Sequence, residues 1–239
     1  MKKISEKLFV NVVCNVVIAL LIVSVFVISF SGDITSVFGY DYEKAIYRGD
    51  ETKNNVSVMI NVYWGTEYID SMLETLKEHD VKATFFIGGS WAAKNEDVLV
   101  KIATAGHEIG SHGYYHKDHA KLDFDGNYNE IYVTHKLIKQ ILGVDMDLFA
   151  PPSGSFSKTT LKVASQLKYR TIMWSKDTID WRDKDTQLIV KRATSNVKNG
   201  ELVLMHPTKN TADALGTILK FYIENGFKVV PVGENITNE

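Results

Sequence analysis

The sequence predicts an α/β fold: a (β/α) barrel of about seven units, preceded by one N-terminal transmembrane helix. Three observations carry this. From Val56 to Val232, short apolar runs of strand length alternate with amphipathic helical periods, with turn residues between them. Repeated strand–helix units with short connections imply a parallel sheet, open or closed. No GxGxxG or GxxxxGK(S/T) run is present, so a nucleotide-binding open sheet loses its main support and no nucleotide partner is expected. A barrel remains, with its chemistry at the C-terminal ends of the strands.

The N-terminus reads as an anchor. Lys2, Lys3 and Lys7 precede a stretch, Leu8 to Gly32, without a charged side chain. A bilayer span needs roughly 20 helical residues, and a signal-peptide core only about 7–15. The run therefore reads as an uncleaved, single-pass anchor through residues 8–30. The flanking lysines place the N-terminus in the cytoplasm and the rest outside the cell membrane. Residues 1–33 form tip and anchor, 34–55 a linker without apolar periodicity, and 56–239 the catalytic-type domain.

Within that domain Val56–Val62 reads as a strand. Glu67–Glu78 reads as a helix with Ile69, Met72, Leu73 and Leu76 on one face. Ala83–Ile87 is a strand, and Glu96–Ala105 a helix stopped by Gly106. His107–Gly110 is a short strand, and Tyr128–Leu142 a helix ended by Gly143. Asp147–Ala150 is extended into Pro151-Pro152. Lys158–Leu167 is a helix capped by Ser157, and Arg170–Trp174 a strand. Thr186–Val197 is a helix capped by Asp185. Glu201–Met205 is a strand, Ala212–Asn225 a helix ended by Gly226, and Lys228–Val232 the last strand.

Composition limits the function classes. Of 239 residues, 45% are hydrophobic and 23% charged, which excludes a disordered chain. A net charge of −2 leaves no electrostatic footprint for nucleic acid. Cys14 is the single cysteine, so no intrachain disulfide forms.

The strand ends collect the chemistry. They carry Asn61-Val62-Tyr63-Trp64-Gly65, the His112…His116 pair, Pro151-Pro152-Ser153-Gly154, Asp177 to Trp181, and Met205-His206. Two histidines four apart after a strand can turn both imidazoles to one zinc-class ion. His206 and Asp180 end two further strands. A carboxylate beside an imidazole sets its tautomer for general-acid work. His79, His119 and His135 read as solvated, and His107 as structural.

In motif order, from about Val56 to Val232, this chain resembles the polysaccharide deacetylase group (NodB homology, carbohydrate esterase family 4). The resemblance implies a distorted (β/α) barrel and a divalent metal, probably zinc, held by Asp-His-His. It implies removal of acetyl groups from peptidoglycan or a related cell-wall glycan. His112 and His116 match the metal histidines, His206 the general acid, and Asp180 the carboxylate that tunes it. Trp181, Pro152 and Ser153 match groove walls, and Tyr63 and Trp64 are expected in the same groove. The chain departs from the pattern in its first motif. Whether Asn61-Val62 or Tyr63-Trp64 is matched, neither aspartate of the family is present, so Asn61 stands at a degenerate base position. An amide cannot take a proton from water near neutral pH. The arginine that holds the base is Ala150 here. Without a first-motif base, Asp177 and Glu67 are candidate substitutes by their closeness to strand ends. The Trp-Gly ending also resembles a membrane-anchored, sporulation-associated branch. The sequence thus leaves two readings: a metal-dependent deacetylase, or a weakened member that binds glycan or a wall-assembly partner.

Overall fold

The computed structural model describes residues 6–30 and 43–236, with side chains of the first helix described over 10–24. Two compact units divide the chain near residue 41. The first contains helix α1, Glu6–Phe30, which covers the apolar run. Among the described residues no helix is long and apolar enough to cross a membrane.

The second unit is built on a nine-stranded sheet, counted among the described residues. Its strands are β1 (Ala45–Ile46), β2 (Asn55–Val62), β3 (Thr84–Ile87), β4 (Glu108–Ser111), β5 (Leu148–Phe149), β6 (Arg170–Ile172), β7 (Lys176–Asp177), β8 (Glu201–Met205) and β9 (Lys228–Val229). The order is β1-β6-β5-β4-β3-β2-β8-β7, with β9 also on β2, and the pairings are parallel throughout. The helices are α2 (Ile69–Glu78), α3 (Gly89–Ala92), α4 (Glu96–Thr104), α5 (Phe124–Leu142), α6 (Lys158–Gln166), α7 (Thr186–Thr194), α8 (Lys209–Glu224) and α9 (Val232–Asn235). The expected barrel is a curled sheet that stays open: its two edges, β1 and β7, are two-residue strands not paired to each other.

Strand alternation decides what faces the site. Successive side chains of a strand point to opposite faces. Val56, Val58, Ile60 and Val62 of β2 join the large core under the helices. Met59 instead joins the smaller cluster with Phe86, Leu148, Ala150, Ile172 and Leu204. Asn61 follows Met59 by two and shares its face. Val62 is fully buried against the helix layer; it cannot offer a side chain to the histidines.

Local chemistry explains where helices begin. Ser157 and Thr160 form a reciprocal capping box on α6. Asp185 accepts from Gln187 and Leu188 N–H at the start of α7. Two starts lie earlier than expected. Asp123 caps α5 by accepting from Gly126 N–H, so the helix begins at Phe124 and runs through Gly126-Asn127. Asn127 is buried and satisfied by His119 and the cap backbone, which removes the usual penalty of an asparagine inside a helix. Thr208 caps α8, placing its start at Lys209. The last strand stops at Val229, because Pro231 precedes the short α9.

The segment expected as a linker is partly structured. β1 pairs with β6, Gly49 N–H donates to Gly200 O at 2.7 Å, and Arg48 meets the buried Glu201 at 3.1 Å. Sequence periodicity misses a two-residue strand; its pairing is entirely long-range.

Candidate active site

The C-terminal ends of β2, β4, β7 and β8 enclose a cavity of about 360 Å³. Its wall includes Asn61, Tyr63, His112, His116, Ser153, Trp181 and His206, seven of the residues expected to form the site. Asp177, Trp174 and Leu204 complete it. Pro152 is buried behind Ser153, which takes the left-handed region at φ 54°. Trp64 is not in the wall but stacks on His206, with centroids 5.2 Å apart. Glu67, the other candidate base, folds its Oε2 back onto Thr66 N–H at 2.9 Å and lies outside the wall.

His112 ends β4, fixed by its N–H to Ile87 O at 2.9 Å. Its Nδ1 donates to Ala150 O at 2.8 Å. Nε2 therefore carries the lone pair, and it is buried without a hydrogen-bond partner. Burial, then the neighbouring His116, hold this imidazole neutral, well below its ordinary range. His116 sits in the left-handed region at φ 55°. Tyr63 stacks on it with centroids 3.6 Å apart and lies 5.7 Å from His112. Burial lowers the His116 pKa as well and raises that of the Tyr63 phenol. Asn61 Oδ1 is a second buried atom without a partner.

These donors bear on the expected metal. Among the described residues no three His, Cys, Asp or Glu side chains converge as an ion site. The His112 and His116 rings lie 5.1 Å apart by their centroids, His112 Nε2 is buried without a partner, and Asn61 Oδ1 is an unpartnered oxygen in the same wall, so the donor types present are ones a zinc-class ion accepts. That set is neutral. It lacks the anionic ligand that tightens divalent binding.

The opposite wall is complete. His206 Nδ1 donates to Asp180 Oδ1 at 2.8 Å. Asp180 Oδ2 accepts from His206 N–H at 2.6 Å and from Thr211 Oγ1 at 2.5 Å. Asp180 is buried, with its side chain fully enclosed. Oδ1 thus holds the His206 ring in its Nδ1–H form with Nε2 left for the cavity, while the two bonds to Oδ2 fix the carboxylate itself. Thr211, at the start of α8, carries no motif signal; only its helical register behind Asp180 could have marked it.

His107, His119 and His135 serve structure instead. His107 accepts Ala83 N–H through Nδ1 at 3.2 Å. His119, expected in solvent, is fully buried; it donates from Nδ1 to Asn127 and packs on Phe149. His135 meets the Tyr169 hydroxyl at 2.7 Å. Burial pushes the His107 pKa from 6.5 down to about 4 and lowers that of His119. Their unfolded forms take up protons below about 6.5, and the folded chain refuses them. Stability should therefore be full above about 6.5 and fall as pH drops toward about 4. Urea midpoints at pH 7.5 and 4.5 measure this; equal midpoints would contradict it.

Comparison with known proteins agrees with this geometry. The polysaccharide deacetylase family matches residues 48–172. The uncharacterized protein YlxY of Bacillus subtilis is 41% identical over 79% of this chain and 59% of its own length. A peptidoglycan-N-acetylglucosamine deacetylase of Bacillus cereus is 31% identical over 72% of this chain. The matched region spans 65% of that enzyme, so it covers less than two thirds of either relative. The crystal structure of a CE4 family pseudoenzyme from Bacillus anthracis superposes with TM-score 0.80 and 38% identity, over 82% of this chain and 69% of that one. A mutant of that pseudoenzyme with restored enzymatic activity matches equally well, at TM-score 0.80 and 37% identity, over 82% of this chain and 72% of that one. Since the family match runs through both the histidine loop and the Pro-Pro turn that wall this cavity, the chain belongs to the polysaccharide deacetylase family.

Proposed function

We propose that the domain is a slow, metal-dependent deacetylase of an N-acetylated cell-wall glycan. The observation that carries this reading is the enclosed His206–Asp180 pair opening on the same cavity as His112 and His116. Trp181, which is 57% exposed, offers a ring for a sugar face. His112 and His116 would hold the ion, which when bound supplies polarisation of the acetyl carbonyl. His206, oriented by Asp180, would hand a proton from Nε2 to the leaving nitrogen. Asn61 takes no proton from water. Among the described residues Asp177 is the carboxylate in the cavity wall, so it is the substitute base: its Oδ1 accepts Ile179 N–H at 2.8 Å, which leaves Oδ2 to take the proton.

A second reading is favoured by the absent first-motif carboxylates and by the similarity to a pseudoenzyme: the cavity binds glycan without turnover. Acetate release from N-acetylglucosamine oligomers by the full chain with added zinc separates the two. Slow release, lost in His206→Ala, supports the deacetylase. Saturable oligomer binding without acetate supports the binder. Neither binding nor release removes both.

The run 8–30 is assigned as a cell-membrane anchor with the N-terminus in the cytoplasm and the domain outside, in a spore-forming Gram-positive setting. The support is its charge-free length and the lysines before it. Protease accessibility of the domain in intact protoplasts tests the orientation; full protection would overturn it.

A further inference from the structure

The loop carrying His112 and His116 is fastened from behind by a carboxylate that no role above uses. Glu130 lies on α5 and is 3% exposed. Its Oε2 accepts the N–H groups of Tyr114 and Tyr115, each at 2.8 Å. These two residues stand midway between the histidines. Its Oε1 lies 3.5 Å from Lys117 Nζ, one residue past His116. A buried carboxylate is retained where N–H donors satisfy it, and charge-assisted bonds of this kind are the strong ones.

The turn depends on that anchor. Gly113 and His116 both take positive φ, 70° and 55°, so the four-residue spacing is a loop and not a helical turn. A Cβ on Gly113 would lie 3.2 Å from Glu130 Oε2 and 3.0 Å from His119 Nε2. Only glycine lets the backbone pass this close to the carboxylate at that φ. His112 is fixed at one end by β4. The carboxylate fixes the next two peptides, and these deliver His116 to the cavity.

We propose that Glu130 is a positioning residue for the imidazole pair: it shapes the turn that sets the spacing of His112 and His116. The link to catalysis rests on the deacetylase reading above; the link to loop geometry does not. The test uses the full chain in detergent with zinc alone as probe. It combines calorimetric zinc titration with hydrogen exchange at the Tyr114 and Tyr115 amides. Glu130→Ala should lose protection at both amides and weaken zinc binding at least about tenfold. Glu130→Gln keeps one acceptor oxygen for the two N–H groups and should fall between Ala and wild type. That graded order is a rescue which a purely structural residue would not show in zinc affinity. Glu130→Met, which has no oxygen acceptor but keeps the length of the side chain, replaces Glu130→Ala where that variant does not fold; either variant, folded and with wild-type zinc affinity and unchanged amide protection, overturns the proposal. Wild type that takes no zinc, with the amides still deprotected in Glu130→Ala, upholds the positioning role and removes the metal-dependent reading.

Discussion

Asn61→Asp combined with Tyr63→Asp is expected to raise acetate release by about 10²–10⁴-fold, the usual worth of a positioned general base. Asn61 already points into the cavity from the end of β2, with Oδ1 buried and unpartnered. A carboxylate there is isosteric and can take the proton that an amide cannot. Residue 63 is the second position because the Tyr63 ring stacks on His116 and faces His112 across 5.7 Å. An aspartate at 63 gives the two imidazoles the anionic partner they lack. Position 62 is unsuitable. Val62 is buried in the helix-facing core, and an aspartate there would be an unpaired buried charge. Ala150 constrains the design as well: it packs fully buried in the inner apolar cluster while its carbonyl holds His112. An arginine at 150 would have to displace those neighbours, and only an aspartate at 61 could pair it. The double variant therefore comes first. Zinc affinity should rise together with the rate. A folded double variant with neither gain would show that residue 63 does not stand where an ion's third ligand belongs.

Much of this site was legible in the sequence, for identifiable reasons. His112 and His206 directly follow β4 and β8, His116 lies on the loop after β4, and these strand ends follow from local periodicity. Asp180 lies three residues past β7, a two-residue strand without a readable period, and only its motif resemblance marks it. Which side of the sheet Val62 faces also follows from period two, once β2 is known to continue through it. Other features were not legible. Glu130 and Thr211 act through contacts to backbone and side chains far along the chain, and neither lies in a motif. His119 looked solvated because nothing near it in sequence shows that Phe149 and Asn127 enclose it. Propensity puts the start of α5 late, because Gly126 and Asn127 are poor helix formers; Asp123 and the buried amide contacts outweigh that propensity. β1 carries no sequence signal, because a two-residue strand has no period to read.

Asp180→Asn is the loss with the largest expected effect. Asp180 receives three donors: His206 Nδ1–H on Oδ1, and His206 N–H with the Thr211 hydroxyl on Oδ2. An asparagine has one acceptor oxygen. With that oxygen in the Oδ2 place, the backbone N–H and Thr211 remain satisfied. The amide NH₂ then faces His206 Nδ1, which must become an acceptor, and the ring proton moves to Nε2. The fold is kept, but the imidazolium loses its counter-ion and the acid its oriented form. A rate about 10²–10⁴-fold lower is expected, measured in the Asn61→Asp/Tyr63→Asp background where turnover is ample. Nitrogen NMR of the His206 ring should report the tautomer switch, and the urea midpoint should move little. Thr211→Val supplies the contrast. It removes one hydroxyl, leaves the Asp180–His206 pair standing, and should cost about 1–3 kcal/mol of stability with a smaller loss of rate. An Asp180→Asn variant with the parental rate and tautomer would show that His206 is not the proton donor, whatever its place in the cavity.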